Sequence, residues 1–314
     1  MHSLTETQFE KAKNLARKLR ELISLRTALI AQGKLDPAVI LPSIMWKQAL
    51  DLTYYCFDPP YEIVDTWRLH TFAFTGRHLA HAIDNGHNPP PPDLIEEYSE
   101  LTKGLPEKMI ANPPAQCGEI GWKINKRIVN ADVVMYQRHL TALFRSGVMD
   151  RLAKLSHPIN ILEIGAGYGA LAYFLKSIFP QTSYYIIDLA EALIFSSVYL
   201  GVTLEHCVDV HSVYDGVDNS TLSAPRMHFM FLPNFLCEDL CGQVKCDLVI
   251  NTGSFGEMTE NQVSLYSDLV SKVLNSKGLL YEENQDTFIP VSNILNRRLK
   301  PQVIQGRKKL WSVR

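Results

Sequence analysis

No stretch of the 314-residue chain approaches the ~18 consecutive apolar residues of a membrane-crossing helix, and its first residues are polar and charged where a secretory leader needs an apolar core. A soluble, cytoplasmic protein is the expectation. An excess of one charge is also missing. With 31 Lys and Arg against 33 Asp and Glu the net charge is -2, so neither nucleic acid nor a membrane surface is expected as a partner. The local exception is the basic end, where Arg297, Arg298, Lys300, Arg307, Lys308, Lys309 and Arg314 follow the last acid, Asp286. A solvated basic end is the expectation there, with phosphate contact as the alternative. Paired C-x-x-C spacing is absent too. Cys56, Cys117, Cys207, Cys237, Cys241 and Cys246 fit no zinc module, and reduced, largely buried thiols are expected.

What is present is an ordinary globular composition, 46% apolar and 20% charged, in a chain long enough for two domains. Residues 1–130 read as helical and residues 131–314 as alternating strands and helices. Residues 5–32 keep Phe9, Ala12, Leu15, Leu19, Leu22, Ile23 and Leu29 on one face, with Thr5 and Gln8 spaced as a capping box. Helical stretches are expected over 37–57 and 62–84. The second of these carries His70, His78 and His81, with His87 beyond, but no carboxylate completes a ligand set, so no metal is expected. Pro89 to Pro92 form a stiff linker, a short helix follows near 93–102, and an irregular stretch runs to Asn130. In that stretch Glu119 and Trp122 pair a carboxylate with an aromatic platform suited to a sugar ring; packing of the linker is the alternative. A helix over 132–146 carries Tyr136 and His139 and stops at Gly147.

The most informative segment is 157–188, HPINILEIGAGYGALAYFLKSIFPQTSYYIID. Ile159 to Ile164 form a buried parallel strand, Gly165, Gly167 and Gly169 the turn, Ala170 to Ile178 a helix stopped by Pro180, and Tyr184 to Ile187 a second strand closing on Asp188. Glycines admit a ligand close to the backbone, and an acid about 20 residues on accepts from ribose hydroxyls. The spacing Gly165-x-Gly167-x-x-Ala170 would also pass as a dinucleotide fingerprint, so an NAD-dependent oxidoreductase is one alternative. Glu163 favours a different nucleoside. A carboxylate two residues before the first glycine repels a pyrophosphate and attracts the ammonium of S-adenosylmethionine. The E-x-G-x-G-x-G turn resembles that of class I S-adenosylmethionine-dependent methyltransferases.

Further strands are expected over 227–232, 247–251 and 278–281, which gives an α/β fold: a Rossmann-like, doubly wound parallel sheet with a helical N-terminal domain. Ligands then gather at the carboxyl ends of the strands. Glu163, Gly165, Gly167, Tyr168, Asp188, Leu189, Asn234, Phe235, Asn251 and Thr252 are the cofactor candidates. Glu257 is the first choice of general base, a helix-start acid being its alternative meaning, and Ser254 would orient the acceptor.

ILEIGAGYGALAYFLK, IIDL, FLP and above all NTGSFGEM (251–258), with GEIGW at 118–122, resemble the sugar O-methyltransferase family over roughly residues 117–284. The resemblance implies a sugar or glycosylated natural product as acceptor, a helical N-terminal part shaping its pocket, and Tyr136 and His139 beside the active site, His139 as a second catalytic candidate. A catalytically silent methyltransferase-like binding subunit is the other alternative. A full class I sheet ends in a helix and two more strands, one antiparallel, yet only about 30 residues follow the fifth strand. Residues 302–313 are expected to close the sheet as a hairpin around Gly306, or to leave an apolar edge that favours a homodimer.

Overall fold

In a computed structural model that describes residues 4–75, 89–204, 210–218, 228–284, 286, 289–305 and 308–313, the stretch read as irregular contains a small antiparallel hairpin, β1 (Trp122–Ile124) and β2 (Arg127–Val129). Its turn residues Asn125 and Lys126 both have positive φ. The remaining strands are β3 (Ile159–Ile164), β4 (Thr182–Asp188), β5 (Val210–Val213), β6 (His228–Pro233), β7 (Cys246–Thr252), β8 (Leu274–Glu283), β9 (Leu299–Gln305) and β10 (Lys308–Val313). Among the described residues they form one eight-stranded sheet in the order β5-β6-β4-β3-β7-β8-β10-β9. The strands from β5 to β8 pair in parallel, and β10 is antiparallel to both of its neighbours. The order reverses beside β3, so the first and second expected strands and their glycine turn lie at the topological switch.

The strands are nearly continuous in apolar residues because helices cover both faces. Alternate residues sort cleanly. Ile161, Tyr184, Ile186, Phe229, Phe231, Leu248 and Ile250 face one core with the helices Ala170–Ile178 and Leu193–Thr203. Leu162, Ile164, Tyr185, Ile187, Met230, Leu232, Val249 and Leu280 face the other, under the helix Glu260–Val273. Five buried or partly buried thiols, Cys56, Cys117, Cys237, Cys241 and Cys246, are free, and no helix among the described residues is long and apolar enough to cross a membrane.

The N-terminal helices share the first of these cores. The helix Glu6–Ala31 starts at the Thr5–Gln8 capping box and buries Leu15, Leu19 and Leu22. It lies on the helix Leu193–Thr203 at Gly201, where an added Cβ would meet Leu15 Cδ1 at 2.9 Å. Arg26 clamps it further with a bidentate pair to Glu191, at 2.8 and 2.5 Å. The continuous helix expected over 37–57 is instead broken into Pro37–Ile40, Ile44–Asp51 and a 3-10 turn Tyr54–Phe57. Pro42 forces Leu41 into extended backbone, and Ser43 then caps a fresh start. The run from 62 likewise divides into Tyr61–Asp65, Trp67–His70 and Phe72–Thr75. His78, His81 and His87 lie outside the described residues.

The C-terminal end completes the sheet. β10 inserts between β8 and β9, giving the helix (Val291–Leu295) and two strands that a full class I arrangement requires. β8 is therefore paired by β10, and the sheet ends at β9. Among the strands of this sheet, β5 is the one that the sequence pattern did not predict.

Candidate active site

A cavity of about 250 Å³ opens at the carboxyl ends of β3, β4 and β7. Its floor is the turn after β3. Gly165 and Gly167 have φ of +76° and +57°, the left-handed region that glycine tolerates. Gly165 is also the closest approach in the site: a Cβ there would stand 2.3 Å from Ser254 Oγ. That serine belongs to a staple, in which Asn251 Nδ2 donates to Ile164 O at 2.8 Å and to Ser254 Oγ at 2.5 Å, while Ser254 Oγ donates to Ile164 O at 3.2 Å. Asn251 Oδ1 accepts from Phe255 N and Asn284 Nδ2. Asn251, a cofactor candidate in the sequence, is thus fully committed to holding the end of β7 against β3; it does not line the cavity, whereas Thr252 and Ser254 do.

Glu163 and Asp188 both line the cavity, flanking the turn from adjacent strands. Burial pushes the Glu163 carboxyl up to about 7 against the hydrogen bond it receives from Tyr184 Oη at 2.6 Å, and nearby Asp188 adds to the rise. Asp188 is likewise pushed up to about 7 by burial, opposed by Leu189 N at 2.8 Å and reinforced by Glu257 and Glu191. Two desolvated carboxyls in one pocket suit a cationic or hydroxyl-rich ligand and disfavour a diphosphate. Asn234, at the start of the turn after β6, lines the same cavity; its Nδ2 donates to Ile40 O at 2.8 Å, and its Oδ1 is buried with no hydrogen-bond partner. A buried amide oxygen without a donor asks for one from a ligand, such as an exocyclic amine. These groups, with Leu189 in the wall, fit an aminoacyl nucleoside of the S-adenosylmethionine type.

The roof comes from the N-terminal part of the chain, which sequence spacing did not tie to the site. Val39, Pro42, Ser43, Trp46 and Phe74 line the cavity. Gln262 Nε2 donates to Val39 O and Leu41 O at 3.0 and 3.1 Å, Asn234 holds Ile40, and Trp46 Nε1 donates to Glu257 Oε2 at 3.0 Å. The Trp46 and Phe74 rings lie 5.4 Å apart. Glu257 sits at the mouth, its pKa raised by burial against the bond from Trp46.

The far wall is the helix Ala131–Arg145, which presents Met135, Tyr136 and His139. Behind His139 stands a carboxylate that was not among the sequence candidates. His139 Nδ1 lies 3.1 Å from Glu283 Oε2 and 3.4 Å from Tyr281 Oη, and Tyr281 Oη donates to Glu283 Oε2 at 2.8 Å. Burial would raise the Glu283 pKa, but the hydrogen bonds from His139 and the Tyr281 hydroxyl and the charge of Lys308 hold it below its ordinary value.

Besides Asn251, four candidates fall outside the cavity. Tyr168 is buried beneath the turn, with the Arg68 guanidinium 3.8 Å over its ring. Phe235 points into the first hydrophobic core. Glu119 is consumed by a fully buried pair with Arg68 at 2.7 Å and by Asn130 Nδ2 at 2.8 Å, so it cannot meet a substrate. Trp122 opens β1 and is not part of the cavity wall. His70 is held by Tyr55 Oη at 2.7 Å. Among the described residues no group of three or more His, Cys, Asp or Glu is placed to hold a metal.

No family model matches the chain, and no curated protein matches it either. Solved structures similar to it include the pyocyanin biosynthetic protein PhzM, at 11% identity over 93% of this chain and 99% of that one with a TM-score of 0.36. The mitomycin 7-O-methyltransferase MmcR matches at 12% identity over 88% of this chain and 74% of its own, TM-score 0.34. The N-methyltransferase NodS from Bradyrhizobium japonicum WM9, in complex with S-adenosyl-L-homocysteine, matches at 15% identity over 71% and 99%, TM-score 0.35. Likenesses this distant assign no function; the Rossmann-like fold stands on the chain's own strand order, and the site on its own residues.

Proposed function

We propose that this protein is an S-adenosylmethionine-dependent O-methyltransferase acting on a hydroxyl of a sugar or glycosylated natural product. The observation that carries the reading is the pair Glu163 and Asp188, two desolvated carboxyls flanking a glycine turn at the switch point of the sheet. When bound, S-adenosylmethionine supplies a methyl group already activated by a sulfonium. The chain's own tasks are then to hold, align and deprotonate. Glu163 would meet the ammonium, Asp188 the ribose hydroxyls and Asn234 Oδ1 the adenine amine, while Trp46 and the segment Val39–Ser43 exclude water from above. The acceptor would occupy the remaining space among Trp46, Phe74, Met135 and Tyr136, where aromatic faces suit the C–H face of a sugar ring. Glu257 and His139 are the two groups in the wall able to take its proton. The sugar itself rests on the sequence resemblance at 251–258.

Isothermal calorimetry with S-adenosylhomocysteine and with NAD tests the cofactor. Binding of the first, lost in Asp188→Ala, is expected; binding of NAD alone would replace this reading with a dehydrogenase. Transfer of labelled methyl from S-adenosylmethionine to a panel of methyl glycosides and glycosylated phenols then tests the acceptor.

A further inference from the structure

We propose that His139 is the general base of this site, accepting the acceptor's hydroxyl proton on Nε2, and that Glu283 is the positioning residue that fixes the imidazole for that role. The inference rests on the methyl-transfer reading for the identity of the acceptor, but its geometry stands on its own. His139 lines the cavity; Glu283, on β8, does not. The ring therefore stands between a carboxylate and the ligand space. An ionised carboxylate only accepts hydrogen bonds, so Nδ1, 3.1 Å from Glu283 Oε2, must carry its proton. Neutral imidazole then leaves Nε2 as its one basic atom, the nitrogen left to the cavity. Tyr281 Oη donates to the same carboxylate oxygen at 2.8 Å, so two donors converge on it and keep it from rotating away.

Glu257 is the poorer base on geometry. It receives Trp46 Nε1 at 3.0 Å as part of the roof, and it lies near enough to Asp188 for their charges to interact, which puts it at the nucleoside end. His139 shares its helix with Tyr136 and Met135, at the acceptor end. In the step itself the proton passes from the acceptor oxygen to Nε2, and that oxygen's electron pair forms the new bond to the methyl carbon. The pair of the broken carbon–sulfur bond stays on sulfur, and His139 later releases its proton to water.

The decisive readout needs no acceptor. Nitrogen-15 NMR of the full chain labelled at histidine, with His139→Gln to identify the signal, is expected to show His139 as the neutral Nδ1–H tautomer, and Glu283→Ala to convert it toward the commoner Nε2–H form. An Nε2–H tautomer in the wild-type protein overturns the proposal, even where Glu283→Ala does not fold. With any acceptor that the wild type methylates, His139→Gln is expected to lower kcat by about 10²–10⁴-fold with little change in KM; an unchanged kcat equally overturns it. S-adenosylhomocysteine binding, measured in parallel, separates the two levels: its absence sinks the methyltransferase reading, while the tautomer alone decides the dyad.

Discussion

Trp46 Nε1 donates to Glu257 Oε2 across 3.0 Å, joining the helix Ile44–Asp51 to the turn after β7 over the mouth of the cavity. Together with the Gln262 and Asn234 bonds to Val39, Ile40 and Leu41, it makes residues 39–46 a strap along the cavity.

Trp46→Phe keeps a ring to pack on Phe74 and removes the N–H. One net hydrogen bond of roughly 0.5–1.5 kcal/mol corresponds to about a two- to tenfold change in an opening equilibrium. Backbone amides of 39–46 are expected to exchange faster by that factor, and S-adenosylhomocysteine to dissociate correspondingly faster. Hydrogen-exchange mass spectrometry and stopped-flow release check this; unchanged exchange would mean that the two side-chain amides hold the strap unaided.

The raised carboxyls give the ligand-free protein a distinctive pH response. Glu163 and Asp188 are pushed to about 7, whereas in the unfolded chain they titrate near their ordinary values of about 4. Below that lower value both states are protonated. Between the two, the folded protein keeps protons that the unfolded chain has lost, so stability falls as pH rises and levels off above about 7. Glu283 is held below its ordinary value and does not intrude on that window. The expected result is a Tm that declines from pH 5 to 7.5, a slope that flattens in a Glu163→Gln, Asp188→Asn double variant. Affinity for S-adenosylhomocysteine should move the opposite way, strengthening as the carboxyls ionise to meet its ammonium. Calorimetric scans with and without ligand check both; a Tm flat over this range would show that the two acids are ionised throughout.

The parts of this site that are close in sequence were readable in it. Glu163, the glycine turn and Asp188 fall within one strand-turn-helix-strand unit, where local spacing and apolar runs determine geometry. Trp46 and Phe74 reach the same cavity, and Glu283 stands behind its His139 wall, from more than 80 residues away on either side of that unit, and no spacing rule connects them to it. Glu283 left a faint signal: alternation along β8 puts it on the same face as Tyr281 and opposite Glu282, so one of the two adjacent acids had to face the helix Ala131–Arg145. Glu119 shows the reverse error. As a carboxylate beside an aromatic in a long loop it read as a substrate contact, and only the fold reveals Arg68, 51 residues upstream, waiting for it.

That arginine supports the last prediction. The Arg68 side chain is fully buried, with Nε 2.7 Å from Glu119, Nη2 2.9 Å from Asp132 and Nη1 donating to Thr71 Oγ1 at 2.5 Å, while its guanidinium lies over the Tyr168 ring of the glycine turn. It therefore joins the N-terminal part, the loop before β1, the helix Ala131–Arg145 and the cofactor turn at one point. Removing one partner of a buried ion pair leaves the others uncompensated, at about 3–5 kcal/mol, a large share of the roughly 5–15 kcal/mol of a typical domain. Arg68→Ala is expected to lose that much in urea unfolding. Arg68→Met combined with Glu119→Gln and Asp132→Asn strands no charge and should recover more than half of the loss. If the triple variant were as unstable as Arg68→Ala, packing over Tyr168 rather than charge would be the source of the stability.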